Sequence, residues 1–150
     1  MPILFALIFI ISCSDDETDC CALGPETVAF SILNEQRENL LDPETENYIL
    51  ESEILFFYKN DDTLTPLSTK NYSINIEGPT KYFTIFPLSF INGKTYEVFV
   101  KLGDFEMDTI RFEYQTNSKQ KITKVFINNE LVFDKDTHDG DERIVNYIKA

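Results

Sequence analysis

From residue 28 onward, apolar and polar residues alternate through much of the chain. In 28–33, Val28, Phe30 and Ile32 share one face. Tyr72, Ile74 and Ile76 alternate with Ser73, Asn75 and Glu77. The same period runs through 95–102, with Tyr96, Val98, Val100 and Leu102 on one face, and through 109–115, with Ile110, Phe112 and Tyr114. A period of two marks a half-buried strand, because successive side chains leave opposite faces of the pleat. Further strands are predicted at 82–88, 122–127 and 131–133, with 144–148 closing the chain as a strand or a short irregular end. Residues 48–59 are long enough for a helix. Their β-branched and aromatic content predicts a strand instead, buried on both faces near its end. A short strand at 63–67 holds Pro66, which confines it to a sheet edge.

Turn signals separate these runs. The polar stretch 34–46, broken by Asp42-Pro43, reads as a loop that Leu40-Leu41 pack onto the core. Asn60-Asp61-Asp62, Gly78-Pro79 and Gly103-Asp104 are turns. Asn92-Gly93 is the strongest, because both residues tolerate the positive φ of a type I′ hairpin, and it predicts that 82–88 pairs back onto 95–102. Asn128-Asn129 predicts a second hairpin. About eight short strands with turns roughly every 8–12 residues, and no sustained 3.6-residue period, indicate an all-β chain. The expected architecture is an antiparallel β-sandwich of about seven to eight strands, immunoglobulin-like or transthyretin-like; a barrel is less favoured. The Cys…Trp…Cys spacing of antibody domains is missing, so an immunoglobulin likeness is architectural only.

The N-terminus has a different character. Residues 1–12 carry no charged side chain, and 2–11 is an unbroken apolar run, PILFALIFII. A spanning helix needs ~20 residues to cross a ~30 Å hydrocarbon core, so this run is too short for one. It reads as the apolar region of a secretory signal. The run ends in Ile10-Ile11-Ser12-Cys13, which resembles a bacterial lipobox. That resemblance implies cleavage before Cys13, which then carries the lipid. A signal of this kind has a basic start, and only the Met1 amine supplies charge here, so an upstream Lys-containing stretch is expected. The rival reading, a buried N-terminal strand, would need all these apolar residues covered on both faces. Next, Ser14-Asp15-Asp16-Glu17 resembles the export signal of surface lipoproteins of the Bacteroidota. The expected location is the outer membrane, at the cell surface or else on the periplasmic face. The expected division is a signal at 1–12, a lipidated flexible tether at 13–25 and a folded domain at 26–150.

Residues 34–45, Asn34-Glu35-Gln36-Arg37-Glu38-Asn39-Leu40-Leu41-Asp42-Pro43-Glu44-Thr45, are similar to a loop in a group of small Bacteroidota lipoproteins, where a first strand is followed by a polar stretch and Leu-Leu-Asp-Pro. Members also enter a late strand through Asp-Thr-Ile, here Asp108-Thr109-Ile110, and then form an Asn-containing hairpin, here 125–132. The resemblance covers most of 28–133. It implies a β-sandwich on a lipid tether, and its motifs carry no functional residue.

Charge and chemistry narrow the function. The chain has 13 Lys+Arg against 26 Asp+Glu, a formal net charge of -13, which argues against nucleic acid as a partner. An apolar share of 43% excludes a wholly disordered chain. His138 is the single histidine, and no Gly-x-Ser-x-Gly elbow or Gly-rich phosphate loop is present. Cys20 and Cys21 are adjacent in the tether, too close to bond each other without strain and too few to hold a metal. Lys119, Lys121 and Lys124 form a basic cluster after the Thr116-Asn117-Ser118 turn, which reads as loop solvation.

Residues 134–142 hold five acids and one Lys around His138. Hard cations want clustered carboxylates. Asp134, Asp136 and His138 fit the start of an EF-hand register, but Asp139 replaces its Gly and Val145 its last Glu. Asp136, Asp139 and Asp141 are therefore the candidate ligands of a non-EF calcium site, against the favoured reading of a solvated acidic loop. Tyr58, Tyr72, Tyr82, Tyr96 and Tyr114 are expected in the core or on sheet faces rather than as a glycan platform.

With no catalytic constellation, catalytic residues and cofactors are expected to be none. The expected function is a lipid-anchored, non-enzymatic β-sandwich, held to the membrane through Cys13, that contacts a protein or glycan. The alternatives are a structural subunit of an envelope or fimbria-like assembly, and a small carboxylate-dependent enzyme acting on a glycan or peptide.

Overall fold

A computed structural model describes residues 27–86, 95–115, 121–137 and 144–149. Ten strands lie among them: β1 (Ala29–Leu33), β2 (Ile54–Asn60), β3 (Thr63–Pro66), β4 (Tyr72–Asn75), β5 (Tyr82–Ile85), β6 (Thr95–Leu102), β7 (Asp108–Gln115), β8 (Lys121–Ile127), β9 (Glu130–Asp134) and β10 (Ile144–Ile148). They form a four-stranded sheet in the order β10-β1-β5-β4 and a six-stranded sheet in the order β3-β2-β6-β7-β8-β9. The two sheets pack face to face as an open β-sandwich. Pairing is antiparallel except between β1 and β10, which run parallel from Ala29↔Ile144 to Leu33↔Ile148.

The core follows the alternation. Tyr96, Val98, Val100 and Leu102 of β6, and Ile110, Phe112 and Tyr114 of β7, are buried on one face. Phe30, Ile32, Phe83 and Ile85 face them from the other sheet. Aromatic rings bridge the layers. Phe30 stacks on Phe83 of its own sheet, with centroids 5.1 Å apart, and meets Phe112 of the other sheet edge-on at 6.1 Å. Phe56 contacts Phe83 at 5.2 Å and Tyr72 at 4.5 Å. Each such pair adds about 0.5–1.5 kcal/mol beyond its buried area, and the Phe30–Phe112, Phe56–Phe83 and Phe56–Tyr72 pairs tie one sheet to the other. Of the five tyrosines expected in the core or on sheet faces, Tyr96 and Tyr114 are core, Tyr58 and Tyr72 pack against it, and Tyr82 is half-buried.

Local chemistry shapes the edges and connections. Pro66 lies in β3, an edge strand, as its missing N–H requires. Leu40 and Leu41 are buried and pin the 34–46 loop. Asn39 latches that loop: its Nδ2 donates to Ser31 Oγ (2.9 Å) and Lys81 O (2.8 Å), and its Oδ1 accepts from Leu41 N. Asn128 and Asn129 both have positive φ, 50° and 71°, and close the β8–β9 hairpin as predicted.

Two expectations are corrected. The strand expected over 48–59 starts only at Ile54. A 3₁₀ turn, Glu51–Glu53, precedes it, because the Glu53 carboxylate accepts from Leu50 N (3.0 Å) and Glu53 N donates to Leu50 O (2.9 Å). The hairpin predicted between 82–88 and 95–102 does not form. The Asn92-Gly93 turn itself lies outside the described residues, but β5 pairs with β1 and β4 while β6 pairs with β2 and β7 in the other sheet. A turn signal reports local φ tolerance and carries no information about which sheet the next strand joins.

Candidate interaction surface

The described chain begins at Thr27, and β1 then runs from that end of the sandwich to the opposite end. The far end gathers residues 34–53, 76–81 and 103–107, the Asn128-Asn129 turn and Lys149, by the directions of the strands they join. Two grooves open there.

The first groove is polar and about 700 Å³, lined by Glu106, Asp108, Asn128, Glu130, Tyr147 and Lys149 among others. Asp108 is 3% exposed, and it is the buried acid among the described residues. Asn128 Nδ2 donates to Asp108 Oδ1 (2.7 Å), while Asn128 Oδ1 accepts from Thr109 N (2.9 Å). Lys149 Nζ lies 2.6 Å from Asp108 Oδ2, off the hydrogen-bonding direction, so the contact is an ion pair rather than an aligned hydrogen bond. The ammonium also donates to Glu106 O (3.2 Å) and lies 5.6 Å from the ring centre of Phe105. Tyr147 lines the same groove beside Asp108. Burial, the hydrogen bond to Asp108 and the charge of Asp108 together push its pKa well above the ordinary tyrosine value. This cluster cross-links the start of β7, the β8–β9 turn and the end of β10.

Charged residues reach the interior here because of strand phase. Asp108 continues the inward series Ile110, Phe112, Tyr114, and Lys149 continues the series Val145, Tyr147. Asp108 is the first residue of β7, and Lys149 follows directly on the end of β10. That signal was present in the sequence: an acid and a lysine in core phase demand partners.

The second groove is apolar and about 670 Å³, lined by Leu41, Tyr48, Leu50, Leu55, Ile74 and Ile76 among others. Tyr48, Leu50, Leu55 and Ile76 are 41%, 46%, 46% and 37% exposed, four of the large apolar side chains that remain on the surface. The groove follows from topology. β3 pairs only with Phe57–Asn60 of β2, leaving Ile54 and Leu55 beside β4, the edge strand of the facing sheet. Glu51 lines the groove, and Glu51 and Glu77 line the adjoining recess with Ser73 and Asn75 of β4.

No protein-family model, curated protein or solved structure matches the chain. Residue chemistry alone therefore carries the functional assignment.

Cys13, the lipobox, Ser14-Asp15-Asp16-Glu17, Cys20 and Cys21 lie outside the described residues, as do Lys119, His138, Asp139 and Asp141. Asp136 is exposed in a turn, where its N–H donates to Asp134 Oδ1 (3.0 Å), and Asp134 Oδ2 lies 3.6 Å from Lys124 Nζ. No group of three metal-ligating side chains occurs among the described residues. Neither groove is among the sites that the sequence predicts. The sequence reading places Asp108 only in a strand-entry motif, and the edge position of β4 depends on pairings that no local pattern encodes.

Proposed function

We propose that this chain is a lipid-anchored cell-envelope protein of the Bacteroidota surface type, tethered through Cys13, that presents a non-catalytic β-sandwich to a polypeptide partner. The observation that carries this reading is the apolar run ending in Ile10-Ile11-Ser12-Cys13, followed by Ser14-Asp15-Asp16-Glu17. Its direction is supported by the fold: β1 starts at the end of the sandwich nearest the tether, and both grooves open at the other end, away from a membrane. A non-catalytic role is supported by the engagement of Asp108 with Asn128, Lys149 and Tyr147, which leaves that buried carboxylate committed to holding strand ends together.

Fractionation of cells expressing the wild-type chain and Cys13→Ser tests the anchor. The wild type is expected in the membrane fraction and accessible to protease added to intact cells. Cys13→Ser is expected to lose both properties. Equal partition of the two proteins contradicts the proposal. A second reading, a structural subunit of an envelope assembly, is favoured by the open edge of β4; it predicts that the protein migrates in a large, regular complex after mild crosslinking.

A further inference from the structure

The four sheet edges differ in their protection. Natural proteins guard edges with proline, charge or irregularity, since an open edge invites another strand. β3 holds Pro66, and β9 begins at Glu130, ends at Asp134 and pairs irregularly with β8. β4 and β10 contain neither proline nor a charged residue. β10 runs beside the polar groove, whereas β4 runs beside the apolar one.

The backbone of β4 is set to receive a strand. Phe86 N donates to Asn71 O (2.7 Å), in register with the pairs Tyr72↔Ile85 to Asn75↔Tyr82. Bonded and non-bonded pairs alternate in an antiparallel ladder. Asn71, Ser73 and Asn75 therefore direct their backbone groups at β5, and Tyr72 and Ile74 direct theirs at the open side. Outside the β4–β5 ladder, neither has a backbone hydrogen bond among the described residues. The side chains of these same two residues line the apolar groove.

Charge selects the occupant. Glu51 and Glu77 flank the far end of β4, and no ion pair among the described residues neutralises either. A second copy of a chain with net charge -13 would bring like charge to this edge. We propose that β4 takes a fifth strand from a partner polypeptide: an extended segment with apolar residues at alternate positions, facing the groove, and a Lys or Arg where it passes Glu51 and Glu77. Main-chain hydrogen bonds would supply affinity and the alternate side chains specificity. This proposal deepens the partner-binding role given above and is independent of lipidation.

The test uses the full chain carrying Cys13→Ser and two synthetic peptides that alternate Val and Thr, one ended by lysines and one by glutamates. Amide hydrogen exchange is followed by NMR. With the lysine-ended peptide, the Tyr72 and Ile74 amides are expected to gain protection, while those of Ser73 and Asn75, already bonded to β5, change little. Glu51→Lys combined with Glu77→Lys, both on the surface, is expected to weaken binding about tenfold or more. Ile74→Pro removes an outward donor without breaking the β4–β5 ladder and is expected to abolish the protection. No protection of the Tyr72 and Ile74 amides at millimolar peptide overturns the proposal, as does equal binding of the glutamate-ended peptide. Self-association through β4 in the absence of peptide places a second copy there and also overturns it. Because lipidation is absent from this experiment, its failure is distinct from failure of the anchor.

Discussion

Asp108 and Lys149 show what an inward charge costs a small sandwich. Breaking a buried ion pair by removing one partner leaves an uncompensated charge, at about 3–5 kcal/mol. Lys149→Met is therefore expected to lower the unfolding free energy by roughly 3 kcal/mol in urea titrations. Asp108→Leu combined with Lys149→Met should recover much of that loss; a single variant with wild-type stability would remove the pair as a structural element. The tyrosines set a limit at high pH. Burial, reinforced by the nearby Tyr58, pushes the Tyr96 pKa from 10.0 up to about 12, and Tyr114 and Tyr147 are raised further. Raised folded values mean that the unfolded chain loses these protons first. Their contribution to stability is full below pH 10 and is lost as pH rises through the folded values, starting in the window from 10 to about 12. Urea midpoints measured from pH 8 upward should stay level with respect to these groups and then fall above pH 10, and tyrosinate absorbance should rise with unfolding.

At the scale of elements, the alternating pattern was enough to locate most strands, because a half-buried strand must obey the pleat. It failed where a local rule met a non-local decision. The 48–59 run is rich enough in β-branched and aromatic residues to pass for one strand, yet Glu53 folds back on Leu50 and delays the strand to Ile54. Asn92-Gly93 has hairpin chemistry, yet the strands on either side join different sheets. Asn128-Asn129 has the same chemistry and does make a hairpin, because 122–127 and 131–133 carry complementary apolar phases within one sheet. Its two positive φ values make a specific prediction. A β-branched residue in the left-handed region is strained by about 1–2 kcal/mol, so Asn129→Val should cost that much while Asn129→Gly leaves stability unchanged or higher. Urea midpoints of the two variants check this, and equal midpoints would contradict it. The β4 edge was not legible in the sequence for the same non-local reason: Tyr72-Ser73-Ile74-Asn75 reads as a half-buried strand whether or not a neighbour covers its second side.

For the whole molecule, the strand directions give the domain two distinct ends. The chain enters at one, and the Asp108 cluster, the apolar groove and the Glu51–Glu77 rim sit toward the other. Under the proposed anchoring at Cys13, the 13 residues 13–25 would span at most roughly 45 Å when fully extended, enough to hold the far end clear of a membrane surface. All 13 Lys+Arg and 26 Asp+Glu lie after residue 12, so the full charge of -13 would remain on a mature chain beginning at Cys13. Such charge favours solubility and attracts cationic segments. The account stands most directly on Cys13. Intact mass of the protein purified from the membranes of a lipoprotein-processing bacterium should match a chain beginning at Cys13 and carrying acyl groups through its sulfur. A mass matching the unmodified chain from Met1 would contradict it.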